Sequence, residues 1–310
     1  MDEIKMLSGK YVITASTKEI TEEQWKKNRT LGIGGSEVGA LLGLNKYKSP
    51  LSLYLDKIGE GKPFEGNIHT EYGKRLEPVI REWLSTEYAI RTKEEIIVEE
   101  YPYMMRSIET PCCLANIDGI VTLKGKGVGI LEIKTASEMM RKEWVDDNIP
   151  DSYYAQVQFY MYVSGLQYTL LAYLIGKTLA WEFVPRNEEF IRVLVTKAKD
   201  FWENNVLKEV EPLVIGIAAD TEALSFRYPE ETAGNTVDMS ELEADYTEYK
   251  NLTADEKEIK TKVDMIKQKF MVRMGTAEVG TIGEHKVTWK TIHKKSFTVK
   301  ESSSRQMRVY

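Results

Sequence analysis

Histidine and cysteine are scarce in this chain. Of 310 residues, three are histidine (His69, His285, His293) and two are cysteine. Cys112 and Cys113 are adjacent, so a disulfide between them would be strained, and two thiolates cannot close a four-thiolate cluster. Zinc-dependent folds and HExxH hydrolases are excluded on that ground. Long hydrophobic runs are also lacking. Stretches such as Tyr168 to Ile175 are the longest, far short of the ~20 residues that span a bilayer. The N-terminus, MDEIKMLSGK, has no basic-then-apolar signal pattern, so a cytosolic protein without membrane contact is expected. Internal repeats and low-complexity tracts are missing too.

What is present suits a globular enzyme: 42% hydrophobic, 29% charged, mean hydropathy −0.37. The length allows one large domain or two modest ones. The net charge of −6 argues against a general nucleic-acid binder, but the charge is uneven. Residues 230–258 hold ten acids and two bases; residues 285–310 hold seven Lys/Arg and one acid. An acidic average with local basic patches fits an enzyme that handles both metal ions and polyanions.

Residues 1–20 read as a short arm. A helix is expected over 21–29 with Thr21 as N-cap, and another begins at Ser36 and continues through EVGALLGL. Further helices are expected at 49–60 and from His69 to Tyr88. On the latter, Tyr72, Leu76, Val79, Ile80, Trp83 and Leu84 share a face. The middle is β-rich: strands at 96–100, 112–123 and 128–135, the last two joined by the hairpin loop KGKG. A helix at about 138–147, one at 152–165 closed by Gly165, strands at 168–176 and 178–185, and a helix from Asn187 to about Leu207 follow. PEETAGNT (229–236) reads as a linker, which divides the chain into 1–228 and 229–310. The second part holds one or two long charged helices over 238–274 and then β alternation over 281–299 (KVTWKTI, then SFTV), expected as a β-hairpin.

The strongest chemical signal is Asp118 followed by Glu132-Ile133-Lys134. Alternation along a strand puts Glu132 and Lys134 on one face and turns Ile133 to the other. The hairpin brings Asp118 toward Glu132. Two hard carboxylates can hold Mg²⁺ while leaving water positions open, and the Ile133 carbonyl is a candidate third ligand. Such an ion lowers the pKa of a bound water and stabilises charge on a phosphoryl oxygen. By itself an E-x-K triplet is usually a solvated ion pair; this one sits in an apolar strand, where an unpaired charge is costly. Glu77 is a candidate for a second metal position, or else a solvated helix residue. Gln156 could hold the attacking water or a phosphate, or else bond to backbone at the edge of the core.

Five blocks occur in order: R-x-L-G-I-G-G-S-E-V (29–38), Y-G-K-R-L-E (72–77), I-D-G (117–119), L-E-I-K-T (131–135) and Y-Y-A-Q-V-Q (153–158). Over residues 21–210 the chain resembles the YqaJ-like viral recombinases, relatives of phage lambda exonuclease in the PD-(D/E)xK nuclease superfamily. The resemblance implies an α/β nuclease core, a central mixed β-sheet flanked by helices, here with a helical and β-hairpin C-terminal extension. It implies a Mg²⁺-dependent 5′-to-3′ exonuclease on double-stranded DNA, with Mn²⁺ able to substitute, that leaves 3′ single-stranded tails for recombination by strand annealing. Asp118 and Glu132 would bind metal together with the Ile133 carbonyl, Lys134 would be the catalytic lysine, Glu77 would act at the second metal, and Gln156 would position water. Arg29 and Ser36 match positions that hold the terminal 5′-phosphate, a role that suits a guanidinium fork and a hydroxyl at a helix start. Asn116 stands where the relative has a small hydroxyl residue, and Tyr153 matches a motif aromatic. Implied partners are DNA ends, a RecT-like single-strand annealing protein and further copies of the chain, as in a trimeric ring, in the cytoplasm of a bacterial host. The competing readings are a DNA endonuclease with the same core and a non-catalytic DNA-end-binding scaffold. The basic segment from Lys286 to Arg308, with Trp289 and Phe297, suits DNA or protein binding, or a solvated hairpin.

Overall fold

A computed structural model describes residues 6–63, 65–144, 149–294, 301 and 305–309. Its elements, in chain order, are β1 (Tyr11–Ser16), α1 (Glu22–Arg29), β2 (Ile33–Gly34), α2 (Gly35–Val38), α3 (Pro50–Ile58), α4 (Ile68–Thr92), β3 (Ile96–Glu99), β4 (Tyr103–Ser107), β5 (Cys113–Asn116), β6 (Gly119–Leu123), β7 (Gly127–Ala136), α5 (Asp151–Ser164), β8 (Tyr168–Ile175), β9 (Thr178–Pro185), α6 (Glu188–Phe201), α7 (Ala218–Arg227), α8 (Glu243–Met274), β10 (Val279–Ile282) and β11 (His285–Thr288). Residues 1–229 form one compact unit and residues 230–310 another.

The first unit is α/β and is built on two sheets. The larger has the order β3-β6-β7-β8-β9. It is mixed: β7 and β8 run parallel, and the other neighbours are antiparallel. The parallel step needs a crossover, which α5 supplies. The smaller sheet has the order β1-β4-β5-β2. Helix α5 contacts both sheets, with Ala155, Val157, Phe159, Met161 and Val163 fully buried. It is apolar around most of its circumference, as a helix in the middle of a core must be. Helix α4 covers the other face of the large sheet, where Ile80 and Leu84 pack with Val121, Leu131, Ile133 and Leu170.

Several elements depart from the sequence reading. Residues 112–123, expected as one strand, are two. β5 belongs to the small sheet and β6 to the large one, and the chain crosses between them at Ile117-Asp118. The crossing is tight: a Cβ on Gly119 would lie 2.6 Å from the Glu99 carbonyl oxygen, so only glycine fits. The arm before residue 20 contains β1, which is anchored by the Tyr11 and Tyr101 hydroxyls at 2.5 Å. After Ser36 there is no long helix. α2 tightens into a 3-10 turn over Gly39–Leu42 and stops at left-handed Gly43. The apolar face of α4 is narrower than expected, since Tyr72, Val79 and Trp83 are exposed. The helix expected at 138–147 is a 3-10 turn over Glu138–Trp144, and its last residues lie outside the described ones.

In the second unit α8 is followed by the hairpin β10–β11, which turns at left-handed Gly283. The start of KVTWKTI thus pairs with the segment before it, across the turn at Gly283. The expected strand at 296–299, with Phe297, lies outside the described residues. No helix among the described residues is long and apolar enough to cross a membrane.

The centre of the large sheet yields a stability prediction. A Cβ on Gly129 would come within 2.2–2.5 Å of the Tyr168 ring. That ring cannot move aside, because its hydroxyl donates to the Gly127 carbonyl at 2.7 Å and its face stacks on Phe183. Gly129→Ala is expected to lower unfolding stability by about 2 kcal/mol, the usual scale of overpacking, measured as a shift in the urea midpoint.

Candidate active site

Strand β7 is the axis of the site. Its pairing with β6 ends at Leu131, opposite Gly119, so residues 132–134 continue beyond that ladder while still paired to β8. The released edge is taken by Asp118: its Oδ2 accepts from the Ile133 N–H at 2.7 Å. In an extended strand the N–H and C=O of one residue leave on the same side, so the Ile133 carbonyl is directed to the edge that carries Asp118. The Ile133 side chain packs into the core beneath α4. Glu132 and Lys134 share the opposite face, with Lys134 Nζ 2.6 Å from Glu132 Oε1.

Glu132 is 1% exposed. Its Oε1 accepts from Lys134 and from Gln156 Nε2, each at 2.6 Å. Its Oε2 is buried and has no hydrogen-bond partner among the described residues. Gln156 is held in turn by Tyr160, 3.1 Å away on the next turn of α5. Burial, and then the nearby Asp118 charge, push the Glu132 carboxyl up to about 8. Burial likewise raises Asp118. Glu77 is raised to about 7, first by burial and then by Asp118. Burial works against the Lys134 ammonium, but Glu132 and Asp118 outweigh it and hold its pKa above the ordinary value. One ammonium thus faces a crowd of carboxylates that burial prevents from ionising freely.

These residues line a cleft of about 370 Å³ that also includes Arg29, Ser36, Glu77, Arg81, Asn116 and Trp25. Seven of the sequence-derived candidates, Arg29, Ser36, Glu77, Asn116, Asp118, Lys134 and Gln156, therefore meet Glu132 in one depression. Glu77 pairs with Arg81, whose guanidinium also donates to the Asp118 main-chain carbonyl at 2.8 Å. Tyr153 does not line the cleft. It packs on Trp144, and Lys134 Nζ lies 5.0 Å from its ring centroid, so it supports the lysine from behind.

At the far end, Arg29 Nη2 donates to Ser36 Oγ at 3.0 Å and pairs with Glu37 at 2.9 Å. Glu37 is buried; it also takes Lys57 at 2.8 Å and the Gly34 N–H at 2.8 Å. Burial opposes its charge, yet Arg29 and Lys57 hold its carboxyl down at about 2. Because α2 has only four residues, the cationic character here comes from Arg29 rather than from a helix dipole. Trp25 stacks under Arg29 at 4.9 Å, and its indole N–H donates to Asn116 Oδ1 at 3.1 Å. The Asn116 oxygen is thereby occupied, which leaves its NH₂ as the group free to donate into the cleft.

The sequence reading missed Trp25, Glu37, Lys57 and Tyr160 as parts of the site. Glu37 could have been noticed as an acid inside an otherwise apolar, glycine-rich stretch, whereas Lys57 and Tyr160 carry no local signal.

A divalent cation fits these residues. Among the described residues no group of three or more His, Cys, Asp or Glu side chains forms a metal cage. Mg²⁺ does not need one, since one or two carboxylates plus waters and substrate oxygens suffice. The unpartnered Glu132 Oε2 and the raised carboxyls are what a site that expects a positive charge leaves behind. A stability test follows. An acid with a raised folded pKa binds more protons folded than unfolded, so folding free energy is lost as pH rises from the ordinary carboxylate range toward about 8. In chelator, the thermal midpoint is expected to fall over that window. Glu132→Gln should flatten the decline, and Mg²⁺ should restore stability to the unmodified chain at pH 8 but not to the variant.

The chain is similar to several known proteins. Residues 24–167 match the YqaJ-like viral recombinase domain. The chain is 31% identical over 292 residues to the YqaJ protein of Bacillus subtilis (strain 168), covering 93% of this chain and 89% of that one. A protein of Acanthamoeba polyphaga mimivirus is 27% identical over 154 residues, 48% of this chain but 28% of the viral protein. Among solved structures, an alkaline exonuclease from Laribacter hongkongensis superposes with a TM-score of 0.48 at 21% identity, over 61% of this chain and 94% of that one.

Proposed function

The chain belongs to the family of YqaJ-like viral recombinase domains, and from that premise we propose that it is a divalent-metal-dependent deoxyribonuclease that degrades duplex DNA from 5′ ends. The observation that carries this reading is a single cleft with two unlike ends: paired carboxylates with a lysine at one, an arginine and a hydroxyl at the other. The first suits phosphodiester hydrolysis and the second suits a terminal phosphate.

Asp118, Glu132 and the Ile133 carbonyl are the groups that would hold Mg²⁺, or Mn²⁺ in its place. When bound, the ion supplies an acidified water and neutralises charge on the phosphoryl group. Gln156 fixes Glu132 by occupying Oε1 and so leaves Oε2 open. Lys134, held beside Glu132, is placed to orient the attacking water or to donate to the phosphoryl oxygen. Arg81 ties the Asp118 backbone to α4 and keeps Glu77 in reach of the same charge. Arg29, Ser36 and the Asn116 amide grip the 5′-phosphate, while Glu37 and Lys57 hold Arg29 in place. The product would be a duplex with a 3′ single-stranded tail, the substrate of a RecT-like strand-annealing protein.

Linear 5′-phosphorylated duplex should be digested with Mg²⁺ and spared without it, beside an intact covalently closed circle. Lys134→Ala is expected to lower turnover by about 10²-fold or more. Ser36→Ala removes one phosphate donor without stripping Glu37 of its cations, and should cut the preference for 5′-phosphate over 5′-hydroxyl ends roughly tenfold. Cleavage of the circle would favour an endonuclease. DNA-end binding that ignores both metal and Glu132 would favour a scaffold.

A further inference from the structure

Helix α8 has 32 residues, about 48 Å of helix at 1.5 Å per residue, and none of them is buried. Seven apolar residues, from Leu242 just before its first residue to Phe270, nevertheless fall in a heptad pattern, with Tyr246, Met265, Met271 and Val272 off it. Leu242, Tyr249, Val263 and Phe270 occupy one series of positions seven apart, and Leu252, Ile259 and Ile266 a second series three residues on. All seven are exposed, at 36–60%. The hairpin β10–β11 meets the helix at Met274, where that side chain lies 3.4 Å from the position of a Cβ on Gly280. An apolar seam of this spacing, interrupted at Asp245, Glu256 and Arg273, is the pattern of a coiled coil, and a seam left in water is a docking surface.

Charge selects the occupant. Residues 243–258 contain six acids and two bases, and residues 260–274 contain five bases and one acid. The positions just before the first apolar series sort the same way: Glu241, Glu248 and Asp255, then Lys262 and Lys269. In an antiparallel helix pair these flanking positions face their own equivalents across the seam. We propose that α8 pairs antiparallel with α8 of a second copy of this chain.

With the helix ends overlapping, Tyr249 packs on Ile266 of the second copy and Leu252 on its Val263. Glu248 then faces Lys269 of the second copy, and Asp255 faces its Lys262. By symmetry each contact occurs twice. The polar residues in the seam have defined places. Asp245 and Arg273 fall in the end layers, within a turn of each other across the pair. Glu256 lies opposite Ile259 near the centre, a cost that a two-stranded seam can bear by turning the carboxylate outward. Lys262, which pairs with Glu258 of its own helix at 2.5 Å, lies between that acid and Asp255 of the second copy. A parallel pair would instead put acidic half on acidic half, basic on basic, and Glu256 against itself. This inference is independent of the nuclease reading, since it uses no residue of the cleft.

The test uses the full chain and its mass in solution across a concentration series. One variant carries Glu248→Lys with Asp255→Lys, and another carries Lys262→Glu with Lys269→Glu. Each alone faces like charges across the pair, and assembled mass is expected to fall by half while far-ultraviolet circular dichroism stays unchanged. Mixed one to one, all four contacts become attractive, and the lost mass should return as a heterodimer. Cysteine pairs give the direction: Tyr249→Cys chains mixed with Ile266→Cys chains should cross-link to each other under mild oxidation, and neither should cross-link to itself. A chain that is monomeric throughout, variants that keep full mass, a mixture that regains none, or Tyr249→Cys chains that link to themselves would each overturn the proposal. The first of these would mean that the seam is covered within its own chain or by another protein.

Discussion

The structure is organised around a charge imbalance at the end of β7. Glu132 is almost fully withdrawn from water, Asp118 stands beside it on the released edge of the strand, and Lys134 is bonded to Glu132. Burying carboxylates in excess of their cations, here Asp118, Glu132 and Glu77 against Lys134 and Arg81, costs several kcal/mol unless protons or a further cation make up the difference. The fold tolerates this because the surrounding core is large and apolar, with Ile130, Leu131 and Leu171 buried around the strand. A site so built is poised to take up positive charge, and the conversion of that tendency into hydrolysis depends on what else reaches the same cleft.

Helix α5 joins the two ends of the cleft. Gln156 and Tyr160, one turn apart, form a hydrogen-bonded line to Glu132. On the same helix, Gly35 of α2 approaches so closely that a Cβ there would lie 2.4 Å from the Tyr160 ring and 3.0 Å from the Gln156 carbonyl oxygen. The glycine therefore lets the Arg29–Ser36 end settle directly on the helix that braces the carboxylates. The geometry of one end is carried to the other through two side chains and a backbone contact, all of them buried. The anionic and cationic ends stay separate because each has its own counter-charge: Lys134 and Arg81 at one, Glu37 at the other.

Much of the site was legible from residue order. Alternation alone puts Glu132 and Lys134 on one face and Ile133 on the other, and the side chains are arranged that way. Thr21 and Gly165 cap their helices as their residue types suggest. The failures have physical causes. Residues 112–123 have the apolar content of one strand, and nothing local reveals that Ile117-Asp118 crosses from one sheet to the other. β1 is polar on one face and gains its stability from pairing with β4, a partner about 90 residues away. The C-terminal hairpin is present as expected, and its turn falls at the left-handed Gly283, a position that alternation alone does not mark.

Residue order by itself determined which groups are capable of chemistry here: hard oxygen ligands without histidine or cysteine, a strand that aims two charges the same way, and a glycine-flanked serine near an arginine. Those properties are local, since they follow from side-chain chemistry and from the two-residue repeat of a strand. Tertiary structure alone decided which charges are paired, which oxygen is left without a partner, and that Glu77 answers to Arg81 while Glu37 answers to Arg29 and Lys57. Those facts depend on burial and on contacts between segments far apart in the chain, which set the cost of each charge and which no local pattern encodes.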